Sequence, residues 1–116
     1  MVTSNLFGDI LTDLGAAIAG GMGLAAGANL NPERKYPSMF EPIHGSAPDI
    51  AGQGIADPLA AIWSASQMLD FFGHEDWGKR VIDAIESVLT EKKVLTPDLG
   101  GTASTSQVGD AVAACL

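Results

Sequence analysis

The chain has 116 residues, enough for one small domain with a real core, and its 47% apolar and 17% charged residues describe a globular chain. Fourteen acidic against six basic residues give a net charge of -8, which argues against a nucleic-acid partner, because a phosphate backbone calls for a basic face. Residues 14 to 32 carry no charge, yet 11 of these 19 are Gly or Ala, a poor membrane span, and no secretory signal opens the chain.

The six cations come only as adjacent pairs, Arg34-Lys35, Lys79-Arg80 and Lys92-Lys93, a pattern of solvated surface that leaves no isolated cation to clamp a carboxylate substrate. The one cysteine, Cys115, forms no intramolecular disulfide, fits a reducing cytoplasm, and is expected to be a small buried hydrophobe.

In chain order, "MVTSNLF" reads as the end of a strand, and "GDILTDLGAAIAG" as a helix with Asp9 near its start, closed by "GGMG". "LAAGANLNPERKYPSMF" holds a short strand and then a polar turn. "EPIHGSAPDI", with two prolines and a glycine, is neither helix interior nor central strand, so it reads as a loop that runs on through "AGQGIADP". "DPLAAIWSASQMLDFFG" has the marks of a helix: Asp57 as cap, a proline next, a terminal glycine, and an apolar stripe of Leu59, Ile62, Trp63, Ser66 and Leu69. "EDWGKRVIDAIESVLTE" is a second amphipathic helix, with Val81, Ile82, Ile85 and Leu89 on one face. A turn at "TPDLGGTAST" leads to a last helix, "SQVGDAVAACL". The expectation is one mixed α/β unit, rich in helix, with too few strands to close a sheet alone.

Asp9 and Asp13 lie four apart on a helix, so both carboxylates share one face. Hard oxygens at this spacing suit Mg²⁺ or Mn²⁺; the alternative is that Asp9 caps the helix and Asp13 is solvated. "GGMGLAAG" follows a helix rather than a strand and is incomplete as a dinucleotide fingerprint, so it reads as a terminator. In "HGSAPDIAGQGIADP", Gly45, Gly52 and Gly54 allow close backbone approach, Ser46 can donate to phosphate, and Asp49 can accept from a ribose hydroxyl. The alternative is an ordered Pro/Gly turn over the core. His44 and His74 without other ligands make no metal site.

"NLFGDILTDLGAAIAGGMGL" together with "FEPIHGSAPDIAGQGIADP" resembles the metal-dependent, β-decarboxylating family of isocitrate and 3-isopropylmalate dehydrogenases, and "TPDLGGTAST" is similar to it as well. "NPERKYPSMFEPIHGSAPDI" resembles most the tartrate (D-malate) branch, with the isopropylmalate branch as the nearest rival. The resemblance implies an α/β fold, the C-terminal part of the isocitrate/isopropylmalate dehydrogenase-like architecture. Residues 1 to 116 would then form a single partial domain, the cofactor-side segment of a larger two-domain enzyme, cytoplasmic and homo-oligomeric. It implies Asp9 and Asp13 as Mg²⁺ or Mn²⁺ ligands, and His44, Gly45, Ser46, Ala47, Asp49 and Ile50 as an adenosine-binding loop. Asp49-Ile50 matches NAD-type members; NADP-type members carry Lys-Tyr, and a carboxylate there repels the 2′-phosphate. The implied reaction is hydride transfer from a hydroxy acid to NAD with metal-assisted decarboxylation.

Two departures stand out. Asp57 occupies the position where the family commonly has an Asn against adenine; it still caps the helix but cannot donate when ionised, so adenine affinity is expected to be reduced. The chain also corresponds to only about the C-terminal third of such an enzyme. The family's substrate arginines, its catalytic Tyr and Lys, and a third metal Asp from the partner subunit fall in the missing part. The isolated chain is expected to be inactive without it. The competing readings are a nucleotide-binding remnant without catalysis and a structural piece whose exposed edge and apolar faces drive self-association.

Overall fold

The computed structural model describes residues 2–116. Its elements run α1 (Asn5–Ala19), a 3-10 turn (Met22–Leu24), β1 (Ala26–Asn29), β2 (Met39–Pro42), α2 (Leu59–Phe71), α3 (Glu75–Glu91), a second 3-10 turn (Pro97–Leu99) and α4 (Thr105–Ala114). The helix-rich α/β make-up is the expected one. β1 and β2 form a two-stranded antiparallel sheet in the register Ala26↔Pro42, Gly27↔Glu41, Ala28↔Phe40 and Asn29↔Met39. Pro42 sits at the end of β2, where a missing N–H does least harm to the ladder.

The core lies among α2, α3 and α4. Leu59, Ala84, Ile85, Val88, Val108 and Val112 are buried together, with Leu24, Ile62, Val81, Leu89 and Leu99 packed around them. Each large side chain so buried stabilises by about 1.5–3 kcal/mol. α2 and α3 approach closely because Gly78 is buried with no side chain of its own, and the Ser66 hydroxyl donates to its carbonyl at 3.0 Å. α4 starts with a capping box: Ser104 Oγ accepts from the Gln107 N–H, and the Ser104 N–H donates to Gln107 Oε1.

Four expectations are corrected. Of "MVTSNLF", Met1 lies outside the described residues and the rest is not a strand end: Ser4, in extended conformation, precedes a helix that already begins at Asn5, and Gly8 N–H donates to Ser4 O. Asp9 therefore lies a full turn inside α1 and does not cap it. Trp63, assigned to the buried stripe of α2, is 40% exposed, because it faces an open groove rather than the three-helix core. Cys115 is exposed, because α4 ends at Ala114 and the residue beyond it turns to solvent.

Five of the six cations are held by neighbours. Lys35 pairs with Glu33, Lys79 with Asp83 and Lys93 with Glu91, all exposed pairs worth at most about 1 kcal/mol. The Arg34 guanidinium lies 4.9 Å from the Phe71 ring and donates to the Phe71 carbonyl. Arg80 stacks 4.4 Å from Trp77 and donates to the Leu116 carbonyl. Among the described residues, no helix is long and apolar enough to cross a membrane.

Two glycines make opposite forecasts. A Cβ at Gly101 would meet the Leu95 carbonyl oxygen at 2.0 Å, backbone that already accepts the Ala103 N–H and cannot step aside. At Gly109, inside α4, a Cβ meets nothing within 4 Å. Gly101→Ala is expected to lose about 2–3 kcal/mol, while Gly109→Ala gains about 0.5–1 kcal/mol from helix propensity. Urea denaturation of the two variants beside the parent chain checks both signs.

Candidate functional site

Between β2 and α2 the chain runs through sixteen residues, Ile43 to Pro58, without regular structure. Prolines and glycines keep this stretch out of helix and ladder, and local bonds then fix its course. Ile43 N–H donates to Ala25 O, which ties the start of the loop to the sheet side. Ile50 N–H donates to Ala47 O, Gln53 N–H to Ile50 O, and the Gln53 side-chain amide to Asp49 O at 2.8 Å. The far end is clipped to α4: Thr105 N–H donates to Gly54 O at 2.8 Å, and Thr105 Oγ1 to Ala56 O at 2.6 Å.

This course displays polar groups outward. Gly45, Ser46, Ala47 and Asp49 are exposed, while His44 and Ile50 are half-buried. Ala47 takes φ 42, a left-handed conformation unusual for a residue with a Cβ, and Gly52 and Gly54 take φ 78 and 68. A Cβ built on Gly45, Gly52 or Gly54 meets nothing within 4 Å, so the backbone there is open to close approach. His44 Nδ1 donates to Gly45 O at 2.9 Å, which leaves Nε2 available.

Asp57 anchors the loop to α2. Its Oδ1 accepts from the Leu59 N–H at 2.8 Å, one of the free donors at the helix start. Its Oδ2 is buried and has no hydrogen-bond partner among the described residues. Asp98, from the turn Pro97–Leu99, comes to the same place. A Cβ on Gly23 would lie 3.1 Å from Asp98 Oδ2 and 3.4 Å from Asp57 Oδ2, so both carboxylates converge on the bare face of that glycine. Burial lifts the Asp57 carboxyl above the usual aspartate range; the Leu59 N–H opposes this, Asp98 adds to it, and His44 opposes it.

Asp9 and Asp13 sit on one face of α1, both exposed, and no ion pair among the described residues engages either. As donors they would supply two hard oxygens, enough for part of an Mg²⁺ or Mn²⁺ shell and not for the whole of one. No group of three or more His, Cys, Asp or Glu side chains that could hold a metal is brought together among the described residues. α1 leans on the body mainly through the turn Met22–Leu24. Leu11, Gly15 and Ala16 form one wall of an apolar groove of about 760 Å³, with Leu59, Trp63 and Ile85 opposite. Leu6, Phe7, Ile10, Leu14 and Ile18 of the same helix are also exposed.

The structure thus keeps the 44–50 stretch and Asp57 on one continuous loop, while Asp9 and Asp13 stand together on α1. Asp98 and Gly23 are the residues that sequence reasoning missed at this site. Each had been absorbed in a local role, one in a turn and the other as helix punctuation, and no local pattern announces that they meet Asp57.

Comparison with known proteins follows the same lines. The profile of the isocitrate/isopropylmalate dehydrogenase family matches residues 1–112. The probable tartrate dehydrogenase/decarboxylase of Bacillus subtilis is 53% identical over 116 residues, all of this chain and 32% of that protein. The 3-isopropylmalate dehydrogenase of Thermobifida fusca is 57% identical over 113 residues, 97% of this chain and 31% of that protein. The crystal structure of isocitrate dehydrogenase from Methylococcus capsulatus superposes with a TM-score of 0.91 at 43% identity, over 98% of this chain and 33% of that one. The chain spans about a third of the length of the relatives it matches.

The Asp57 environment sets a pH-dependent forecast. A carboxyl whose folded pKa lies above its ordinary value of 3.8 holds its proton more tightly in the native state. Its contribution to stability is complete below that value and is lost as pH rises through the raised one. Asp57→Asn keeps an acceptor for Leu59 and removes the charge. The variant is expected to be more stable than the parent near pH 7, with the difference fading toward pH 3.8. Urea midpoints at the two pH values check this, and a difference that grows on acidification contradicts it.

Proposed function

The chain belongs to the isocitrate/isopropylmalate dehydrogenase family, and from that premise we propose that it is the C-terminal, cofactor-side segment of an NAD- and Mg²⁺- or Mn²⁺-dependent β-decarboxylating dehydrogenase. The substrate class is a small 2-hydroxy diacid, tartrate or D-malate. The relatives named for tartrate, 53% to 57% identical over nearly the whole chain, favour that choice. A relative named 3-isopropylmalate dehydrogenase at 57% identity supports the second reading, an isopropylmalate enzyme. The residues that would decide between the two lie outside this chain.

The observation that carries the reading is the loop from Ile43 to Pro58, tied down at both ends and open along its middle. His44, Gly45, Ser46, Ala47, Asp49, Ile50 and Asp57 are assigned to the adenosine half of NAD. Exposed glycine backbone and the Ser46 hydroxyl suit phosphate oxygens. Exposed Asp49 suits the two hydroxyls of an unmodified ribose and repels a 2′-phosphate, which selects NAD over NADP. Asp9 and Asp13 are assigned to the divalent ion, with water, substrate and groups from elsewhere in the enzyme completing its shell. Bound there, the ion would supply Lewis acidity to the hydroxy acid's oxygens, and NAD held on the loop would supply the hydride acceptor for the oxidation.

No residue of this chain is assigned to acid–base chemistry. Its local ion pairs and stacked arginines use most of its cations away from the loop, so the clamp for a dicarboxylate belongs to the missing part. The exposed apolar residues of α1 and the groove beside it suit burial against that missing part or a second subunit, in a homo-oligomeric cytoplasmic enzyme. Alone, the chain binds cofactor without turning over.

Calorimetric titration of the purified chain with NAD and NADP, with Mn²⁺ present, tests the assignment. NAD is expected to bind saturably and NADP more weakly. Asp49→Lys is expected to shift the NAD-to-NADP affinity ratio by about tenfold, equivalent to 1.4 kcal/mol. An unchanged ratio would remove Asp49 from the cofactor site.

A further inference from the structure

A carboxylate with one oxygen buried and unpartnered is costly, and in this chain it stands inside the proposed cofactor loop. Asp57 Oδ1 is committed to the Leu59 N–H. Oδ2 has no hydrogen-bond partner among the described residues. Asp98 Oδ2 reaches the same bare face of Gly23 from a different element, so a second negative charge crowds the first. His44, at the start of the loop, is the other titratable group that acts on the Asp57 charge, and Gly23 of the turn Met22–Leu24 lies beside both carboxylates. Water still reaches part of this residue, which is half-buried.

A ligand settling on the loop removes that remaining water and offers no positive charge at this end, since the adenosine half of a dinucleotide is neutral or anionic. The charged form of Asp57 is then the species that suffers, while the neutral form gains a donor at Oδ2 for the orphaned position. We infer that cofactor binding at this loop is proton-linked: Asp57 takes one proton from solvent as NAD binds, becoming a neutral carboxyl in the complex. The inference rests on the cofactor-loop reading above. It adds a regulatory property, because affinity for the cofactor then rises as pH falls.

The raised proton affinity of Asp57 in the free chain points the same way. The balance is simple: carboxylate plus a proton from buffer gives carboxylic acid, with no bond formed to the ligand. His44 is a second titratable group that acts on the Asp57 charge, so a pH-dependent affinity alone does not identify Asp57. The number of protons exchanged, and its loss on substitution, does.

The experiment is calorimetric titration of the full 116-residue chain with NAD between pH 5 and 8, in pairs of buffers with different ionisation enthalpies. The expected result is an uptake of up to about one proton per NAD, with Kd weakening by at most about tenfold per pH unit as pH rises. Asp57→Asn is expected to bind with the same heat in both buffers, and Asp98→Asn to show a smaller uptake than the parent. Equal heats in both buffers for the parent overturn the inference and leave the cofactor loop standing. Undiminished uptake in Asp57→Asn also overturns it, and assigns the proton elsewhere. Absence of any saturable NAD heat overturns the loop reading itself, and the inference with it.

Discussion

The position of the site loop depends on one residue of a distant helix. Thr105 donates twice, from its backbone N–H to Gly54 and from its hydroxyl to Ala56, and so fixes the end of a long irregular segment to the first turn of α4. That turn is itself held by the Ser104–Gln107 capping box and by Val108 and Val112 in the core. Each bond is worth only about 1 kcal/mol. Their effect is geometric: the loop inherits the rigidity of the three-helix core without adding apolar residues to it. Gly101 permits this arrangement, because the chain doubles back over Leu95 with no room for a side chain.

Charge is the second theme. Five of the six cations sit in exposed pairs or over aromatic rings, away from the carboxylates that carry the proposed chemistry. Asp9 and Asp13 share a face of α1, and Asp57 and Asp98 share the space beside Gly23. Like charges held together are unfavourable unless something compensates. On α1 the compensation proposed is a divalent ion, and at Asp57 it is a proton. The two sites solve the same electrostatic problem by different means.

Much of this was legible in the sequence. α3 was bounded correctly by its amphipathic pattern, and α2 to within a residue at its start, where Pro58 is the cap and Leu59 the first helical residue, since these signals are local. The strand β2 was not seen, because Met39 to Pro42 offers only four residues and ends in a proline. The start of α4 was placed one residue late, although Ser104 and Gln107 stand three apart as a capping box requires. Trp63 was read as core because periodicity tells which face a residue takes, not whether that face is covered. The meeting of Gly23, Asp57 and Asp98 is set entirely by tertiary packing, so no spacing rule could announce it.

The central claim is that this chain is the cofactor and metal portion of a larger dehydrogenase, folded but chemically incomplete. The most direct test combines it with the N-terminal two-thirds of a tartrate dehydrogenase relative, each piece purified alone. NADH absorbance is then followed with tartrate or D-malate, NAD and Mn²⁺. The account predicts NADH only when both pieces and the metal are present, with loss of the signal on Asp9→Asn. A stable complex of the two pieces that forms no NADH under any of these conditions would contradict it.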